Sequence, residues 1–290
     1  MEKIGFTDVN MAFFNDYWRL YIIMKIYLMT DMEGVCGVIN SDDYASPSCR
    51  YYEIGRELTT MEVNSAIDGL LEAGATEILV VDGHGAGAIT PSLLHCEAKL
   101  LAGSPMGYPF GCDDSFDAAI MIGQHAKTNT DGGHLCHTGS FAVEDMLING
   151  VSVGEAGCNM LFASYFNVPT IMLSGDESAC NEVKALVPNM EVASVKTGIK
   201  RGSASGLTAE QNKLFNGAAI HLSPEKANML IYEKAKIALE HLQHIKPFWL
   251  APPYEMVSAI RPSEPDGRTK TARVTSNDLI ELLSMPRKYE

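Results

Sequence analysis

Short apolar runs alternate with segments of helical periodicity along the first two thirds of the chain. The apolar runs have the length and the β-branched content of buried strands. They are KIYLMT (25–30), EILVVD (77–82), AAIMIG (118–123), VPTIMLSGD (168–176) and MEVASVKTG (190–198). Helical spacing covers 51–74, 155–167 and 177–187, with Gly74 as the first stop. Near-continuous apolar strands that alternate with helices predict an α/β fold with a mostly parallel, doubly wound sheet.

The pattern changes twice. Apolar and polar residues alternate over 141–154 on both sides of Asn149-Gly150, which predicts a tight hairpin. After about residue 208, Ser223 and Pro224 predict the start of a long helix that runs to about His244. The strand-like EMVSAI (255–260) and a short final helix follow. We therefore expect an extension over 1–23 outside the main fold, an α/β domain over 24–207, and a smaller C-terminal α+β region over 208–290.

Composition narrows the class of protein. The net charge of −14 argues against nucleic acid or an anionic membrane as a partner. The apolar stretch 11–29 is interrupted by charged residues and has no signal-peptide pattern, so we expect a cytoplasmic protein. The seven cysteines are scattered and form no CxxC pair, which argues against a disulfide framework and against a structural zinc knuckle.

Polar side chains follow three of the predicted strands at the point where each strand ends. Asp31 and Glu33 follow the first strand, His84 the second and His125 the third. Ligands gather beyond the carboxyl ends of parallel strands, so these side chains should share one edge of the sheet. Glu155, at the start of a helix after the hairpin, is a fifth candidate.

Two imidazoles and three carboxylates are a mixed donor set that suits Zn²⁺, Mn²⁺ or Co²⁺. Five ligands exceed the needs of one tetrahedral ion, so a two-metal site with a bridging carboxylate fits better. A single strand-end acid is usually a turn former or a helix cap, and a single histidine is usually not a ligand. Repetition at three strand ends favours the metal site over these simpler readings.

The loop GGHLCHTGS (132–140) adds His134, Cys136 and His137. One of its histidines could act as an acid, a base or a stabiliser of the transition state, whereas His134 and Cys136 are better explained as loop filling. The glycines at 83–87 lack the spacing of a nucleotide-binding loop, and there is no GxSxG motif. Asp176 is expected to cap the next helix, and His221 to lie in a solvent-facing helical stretch.

Six segments follow one another along residues 24–205: MKIYLMTDMEGVCG, VVDGHG, MIGQHAKTNT, GGHLCHTGS, VSVGEAGCN and IMLSGDESA. In this order they resemble the M55 family of D-aminopeptidases. The resemblance implies a dinuclear zinc site held by Asp31, Glu33, His84, His125 and Glu155, with Asp31 bridging the ions. It implies His137 as the catalytic histidine, with His134 as the less favoured substitute. It also implies a homo-oligomer, specifically a homodecamer.

The function expected from this resemblance is hydrolysis of short peptides with N-terminal D-amino acids by zinc-activated water. Two alternatives stay open. One is another dinuclear metal hydrolase, such as an amidase or a phosphoesterase, although these motifs carry no basic cluster for a phosphate. The other is a ring-forming peptide-binding protein without catalysis. The region after about residue 250 fits the family poorly, which bears on subunit contacts more than on the metal site.

Overall fold

A computed structural model describes residues 23–265 and 267–290. Its larger sheet has seven strands in the order β3-β2-β1-β4-β7-β8-β9, parallel except for the antiparallel edge strand β9. These strands are β1 (Lys25–Thr30), β2 (Glu77–Asp82), β3 (Ala98–Leu101), β4 (Ala118–Gln124), β7 (Thr170–Asp176), β8 (Glu191–Gly198) and β9 (Ala219–His221). The predicted α/β class with a mostly parallel sheet is confirmed.

The chain winds outward from the middle of this sheet in two directions. From β1 it proceeds to β2 and β3, returns to β4, and then continues on the other side to β7 and β8. The connection reverses between β1 and β4, and such a switch point opens a crevice at the carboxyl ends of the two strands. Thr30 pairs with both Asp82 and Ile122, so β1, β2 and β4 end at the same level.

Seven α-helices lie within the described part of the chain. They are α1 (Ser41–Tyr44), α2 (Tyr52–Glu72), α3 (Glu155–Tyr165), α4 (Glu177–Leu186), α5 (Ala209–Phe215), α6 (Pro224–Glu240) and α7 (Leu279–Ser284). The predicted start of α6 is confirmed, because the Ser223 hydroxyl accepts a hydrogen bond from the Lys226 amide at 3.3 Å. The helix ends at Glu240, before the predicted His244, and a 3₁₀ turn over Leu242–His244 follows.

A second, antiparallel sheet has four strands in the order β11-β10-β5-β6. It contains β5 (Val143–Ile148), β6 (Val151–Ser152), β10 (Tyr254–Ile260) and β11 (Lys270–Ser276). The predicted hairpin is confirmed: Asn149 and Gly150 connect β5 to β6 with φ values of 50° and 79°. The division into domains at residue 207 stays a prediction, and the second sheet contains strands from both sides of it.

The structure corrects the placement of His221 and adds several elements. His221 lies on β9, a three-residue edge strand that is too short to show a pattern in the sequence. Asp176 occupies the N-cap position of α4 as expected, although its side chain accepts no cap hydrogen bond. The pattern missed β3, β9 and β11 because they are short or exposed edge strands, and it missed the short helices α1 and α5.

The predicted extension falls almost wholly on residues 1–22, which lie outside the described residues. In the part of the chain that is described, no helix is both long and apolar enough to cross a membrane.

Candidate metal centre

Asp31, Glu33 and His84 meet at the carboxyl ends of β1 and β2. The His84 Nδ1 atom lies 3.3 Å from Asp31 Oδ1 and 3.2 Å from Glu33 Oε2. Both acids are buried, with 8% and 5% exposure. Ligand atoms of the three residues lie within 4.8 Å of one another, close enough to share one cation.

His125, His137 and Glu155 form a second group beside the first. The His125 Nε2 atom lies 2.7 Å from Glu155 Oε2, and His137 Nε2 lies 4.0 Å from the same oxygen. The imidazole rings of His125 and His137 stack with 3.8 Å between centroids, and Phe141 stacks on the other side of His137 at 4.6 Å. This group could also share a cation.

The carboxylate of Asp31 connects the two groups. Its Oδ1 faces His84, and its Oδ2 lies 3.3 Å from His125 Nε2. One carboxylate with an oxygen toward each group has the geometry of a bridging ligand. The sequence-based prediction of one shared edge therefore matches the arrangement of all five candidate ligands, and His137 lies among them.

Backbone carbonyls fix the orientation of the three imidazoles. His84 Nε2 donates to the Ala45 carbonyl at 2.9 Å, His125 Nδ1 to the Ala126 carbonyl at 2.9 Å, and His137 Nδ1 to the Leu135 carbonyl at 2.8 Å. A carbonyl can only accept, so in each ring this nitrogen carries the proton. The other nitrogen is left with a lone pair that points into the site, which is the orientation found in metal-ligating histidines.

The closely spaced carboxylates of the site favour positive charge within it. Burial alone would lower the pKa of His84, but the carboxylates of Asp31 and Glu33 outweigh it and raise this pKa to about 12. His125 shows the same balance, with Glu155 and Asp31 raising its pKa to about 10. Burial, and then the neighbouring Glu33 carboxylate, raises the pKa of Asp31 to about 6. The closely spaced carboxylates thus draw in positive charge, as protons or as metal ions.

Several buried donor atoms fit a metal ion better than they fit one another. Glu33 Oε2, His125 Nε2 and Glu155 Oε2 make no hydrogen bond of good geometry with any described residue, although His125 Nε2 lies 2.7 Å from Glu155 Oε2 and Glu33 Oε2 lies 3.2 Å from His84 Nδ1. Buried polar atoms are nearly always satisfied, so close but poorly aligned atoms that converge on one site fit a shared cation better than they fit one another. Nitrogen and carboxylate oxygen donors of this kind suit Zn²⁺.

A close backbone approach brings β1 and β4 together at the site. The Gly34 amide donates to the Gly123 carbonyl at 2.7 Å. A Cβ atom on Gly34 would lie 2.1 Å from the carbonyl oxygen of Gln124, which no side chain tolerates. The glycine after Glu33 is therefore required for the turn that carries both acids.

The loop between β4 and β5 separates its histidines. His134 is fully buried away from the two groups, and its Nε2 donates to the Ile39 carbonyl at 3.0 Å. The structure thus brings His137, and not His134, to the site. Arg261, just after β10, holds this loop, because its Nε donates to the Phe141 carbonyl at 3.1 Å and its Nη2 to Thr128 Oγ1 at 2.9 Å.

A cavity of about 640 Å³ opens onto both groups. Sequence reasoning gave no role to Gln124 or Asn159, which also line it. Gln124 Oε1 is buried without a hydrogen-bond partner among the described residues. Asn159 lies four residues after Glu155 on α3, so its place on the same helix face could have been read from the spacing.

Comparisons with known proteins agree with this geometry. Residues 24–265 match the M55 peptidase family, described as D-aminopeptidase. A D-aminopeptidase from Bacillus subtilis (strain 168) is 36% identical over 240 residues, which cover 82% of this chain and 81% of the relative. The solved structure of the Zn-dependent D-aminopeptidase DppA from Bacillus subtilis, a self-compartmentalizing protease, is similar with a TM-score of 0.76 and 29% identity. The structural match covers 89% of this chain and 93% of the DppA chain.

Proposed function

The chain belongs to the M55 family of D-aminopeptidases and is an enzyme of the metallo-hydrolase class, and we propose that it removes the N-terminal residue of short peptides with two zinc ions as cofactor. The observation that carries the proposal is the Asp31 carboxylate, which faces His84 with one oxygen and His125 with the other. In this assignment Asp31, Glu33 and His84 hold one ion, and Asp31, His125 and Glu155 hold the other. Zinc bound there would lower the pKa of a water molecule and polarise the scissile carbonyl.

His137 is the proposed catalytic acid and base. Its Nδ1 proton is committed to the Leu135 carbonyl, so Nε2 is free to accept a proton and to return it to the leaving amine. The stacked rings of His125 and Phe141 fix the plane of the imidazole. The stacking and the Nδ1 hydrogen bond together fix the ring and leave Nε2 available for proton transfer.

The cavity supports a small substrate. Its volume of about 640 Å³ is in the range of small-molecule sites and suits a short peptide. Gln124 and Asn159 line the cavity, and a side-chain amide oxygen is a suitable acceptor for the free amino group of such a peptide. The preference for an N-terminal D-residue, as in D-Ala-D-Ala, is supported by the family and by the B. subtilis relative.

We extend the proposal to assembly. The similar solved structure is of a self-compartmentalizing protease, which supports a homo-oligomer for this chain. On the family resemblance we propose that this oligomer is a homodecamer. Light scattering coupled to gel filtration tests both statements. A mass of ten chains supports the decamer, a smaller multiple supports only the homo-oligomer, and a monomer contradicts both.

The decisive experiment measures zinc per chain and then the release of D-Ala from D-Ala-D-Ala and of L-Ala from L-Ala-L-Ala. Two zinc equivalents with D-selective release are expected. Two equivalents without release of either amino acid would point to another metal hydrolase or to a peptide-binding protein. A chain that takes up no zinc after reconstitution would refute the metal site.

A pair of variants makes the test specific. Asp31→Asn should lose zinc and turnover, because it removes the bridging charge. Asp117→Asn is the matched control, since Asp117 is an exposed residue whose carboxylate accepts from the Lys25 amide at the opposite end of β1. This control should bind zinc and turn over as the wild type does.

A further inference from the structure

Lys196 is a buried cation directly beneath the turn that carries the two acids of β1. It lies on β8, and only 2% of the residue is exposed, which is rare for lysine. Its ammonium donates to the main-chain carbonyl of Glu33 and, at 3.2 Å, to the carbonyl of Val38. A side chain from β8 thus bonds the carbonyls at both ends of the turn that follows β1.

The other contacts of this turn hold its amide groups. The Gly34 amide donates to β4, the Cys36 amide donates to Glu62 Oε1 at 2.8 Å, and the Gly37 amide donates to His221 Nδ1 at 3.0 Å. An amide can only donate, so none of these contacts serves the carbonyls of Glu33 and Val38. An ammonium group has three protons and no acceptor, and it satisfies two inward-facing carbonyls at once.

The charge of Lys196 is not balanced by a close ion pair. Its favourable electrostatic partners are Asp176, Glu62 and Glu33. Asp176 is fully buried, and its carboxylate accepts no hydrogen bond from the Lys196 ammonium. The ammonium is therefore directed at the backbone of the turn and not at a carboxylate. A lysine that served only to neutralise Asp176 would instead direct its ammonium group at the Asp176 carboxylate.

We propose that Lys196 is a positioning residue of the metal site, which fixes the carboxylate of Glu33, and through the same turn that of Asp31, by holding the main chain on either side of Gly34. This inference rests on the proposed function, because it concerns the affinity of the site for zinc. The ammonium of Lys196 bonds the main chain and no ligand side chain, so the proposed positioning effect passes through the turn. Residues that orient metal ligands typically contribute a factor of about 10 to 100 in metal affinity.

The test is zinc affinity at 25 °C, measured by competition with a chromophoric chelator on folded protein. Lys196→Met keeps the apolar stem and removes the donor, and we expect its affinity to fall about 10- to 100-fold. Lys196→Gln is neutral and one atom shorter, but its amide keeps two N–H donors and can still bond one or both carbonyls, so a smaller loss is expected. Lys196→Gln alone carries the test if Lys196→Met does not fold.

A control separates positioning from plain stability. Ile231→Ala creates a cavity on α6, in the core and away from the site, and should lower the melting temperature. Its zinc affinity should equal that of the wild type. The positioning role requires that the Lys196 variants lose affinity when the Ile231 variant, at a comparable loss of melting temperature, does not.

The outcomes distinguish the two proposals. Wild-type affinity in both Lys196 variants, with a wild type that binds zinc, would overturn the positioning role and leave the proposed function intact. An equal loss of affinity in Ile231→Ala would overturn it as well, because the effect would then follow stability. A wild type that binds no zinc would overturn the proposed function and this inference with it.

Discussion

The imidazole of His137 lies flat against that of His125, with 3.8 Å between ring centroids and 12° between ring planes. His125 is a proposed zinc ligand, so this stack places the proposed acid and base at the edge of the metal site. Burial, and then the neighbouring His125, lowers the pKa of His137. The neutral ring can therefore accept a proton at Nε2.

His137→Ala is expected to lower kcat by a factor of about 100 to 10,000, the range that general acid–base catalysis contributes. Zinc content should stay at two ions per chain, because Asp31, Glu33, His84, His125 and Glu155 supply the ligands. Steady-state kinetics and elemental analysis check the two halves. Loss of one zinc equivalent would show instead that His137 is itself a ligand.

His134→Gln is the control for the choice between the two loop histidines. The amide can still donate to the Ile39 carbonyl, so the loop should keep its path. We expect kcat within a few-fold of the wild type. A loss as large as that of the His137 variant would return His134 to the role of catalytic histidine.

Gly34→Ala is expected to destabilise the protein and to weaken zinc binding together. The new Cβ would lie 2.1 Å from the Gln124 carbonyl oxygen, so β1 and β4 must separate where the ligands converge. A loss of about 1–3 kcal/mol in the free energy of unfolding is typical of such overpacking. Urea denaturation measures it, and chelator competition measures zinc affinity. Gly85→Ala meets no heavy atom within 4 Å and should leave the free energy of unfolding within about 0.5 kcal/mol of the wild type.

Arg261→Lys is expected to lower the free energy of unfolding, although it keeps the positive charge. Arg261 donates to the Phe141 carbonyl, to Thr128 and to Asn129, and its Nη1 lies 3.7 Å from the Glu144 carboxylate. Lysine lacks the planar fork and cannot serve these partners together. Breaking a buried charged contact costs about 3–5 kcal/mol when one partner is removed, so Arg261→Met should approach that loss.

The arginine on β11 provides the comparison. Arg273 forms an exposed ion pair with Glu255, and Arg273→Ala should change the free energy of unfolding by less than about 1 kcal/mol. Denaturation in urea measures all three variants. Equal stabilities for the Arg261 and Arg273 variants would contradict the structural role of Arg261.

Glu62 should make stability depend on pH. Burial raises the pKa of this carboxyl group to about 8 in the folded chain, whereas an unfolded glutamate has a pKa of about 4.3. Between these values the unfolded state releases the proton and the folded state keeps it. The contribution to stability is therefore full below about pH 4 and is lost progressively as the pH rises to about 8.

Glu62→Gln isolates this effect. The amide oxygen can still accept from the Cys36 amide, but it does not titrate. In the presence of a chelator, the variant should gain stability relative to the wild type as the pH rises from 5 to 8. A difference that is constant over this range, measured by urea denaturation, would show that Glu62 titrates normally.

The local pattern of the sequence determined the strands that build the site. β1, β2 and β4 are apolar runs with polar residues directly after them, and parallel strands place those residues at one edge whatever the details of packing. Asp31, Glu33, His84 and His125 could therefore be predicted to lie together, whereas the assignments of Glu155 as a ligand and of His137 as the catalytic histidine came from the family resemblance. The hairpin at Asn149-Gly150 and the start of α6 at Ser223 were equally local, since turn and cap chemistry depends on neighbouring residues.

Contacts between distant residues were decided only by the tertiary structure. Lys196 meets Glu33 across 163 positions, and Arg261 meets Phe141 across 120. The sequence pattern predicted a helical position for His221, yet pairing with Lys196 makes it part of an edge strand. Hydrophobic periodicity does not reveal such long-range contacts, because the partner of a buried donor is brought to it only when the chain folds. The sequence thus specifies which groups reach the proposed metal site, and the tertiary packing of the described residues specifies which contacts hold each of them in place.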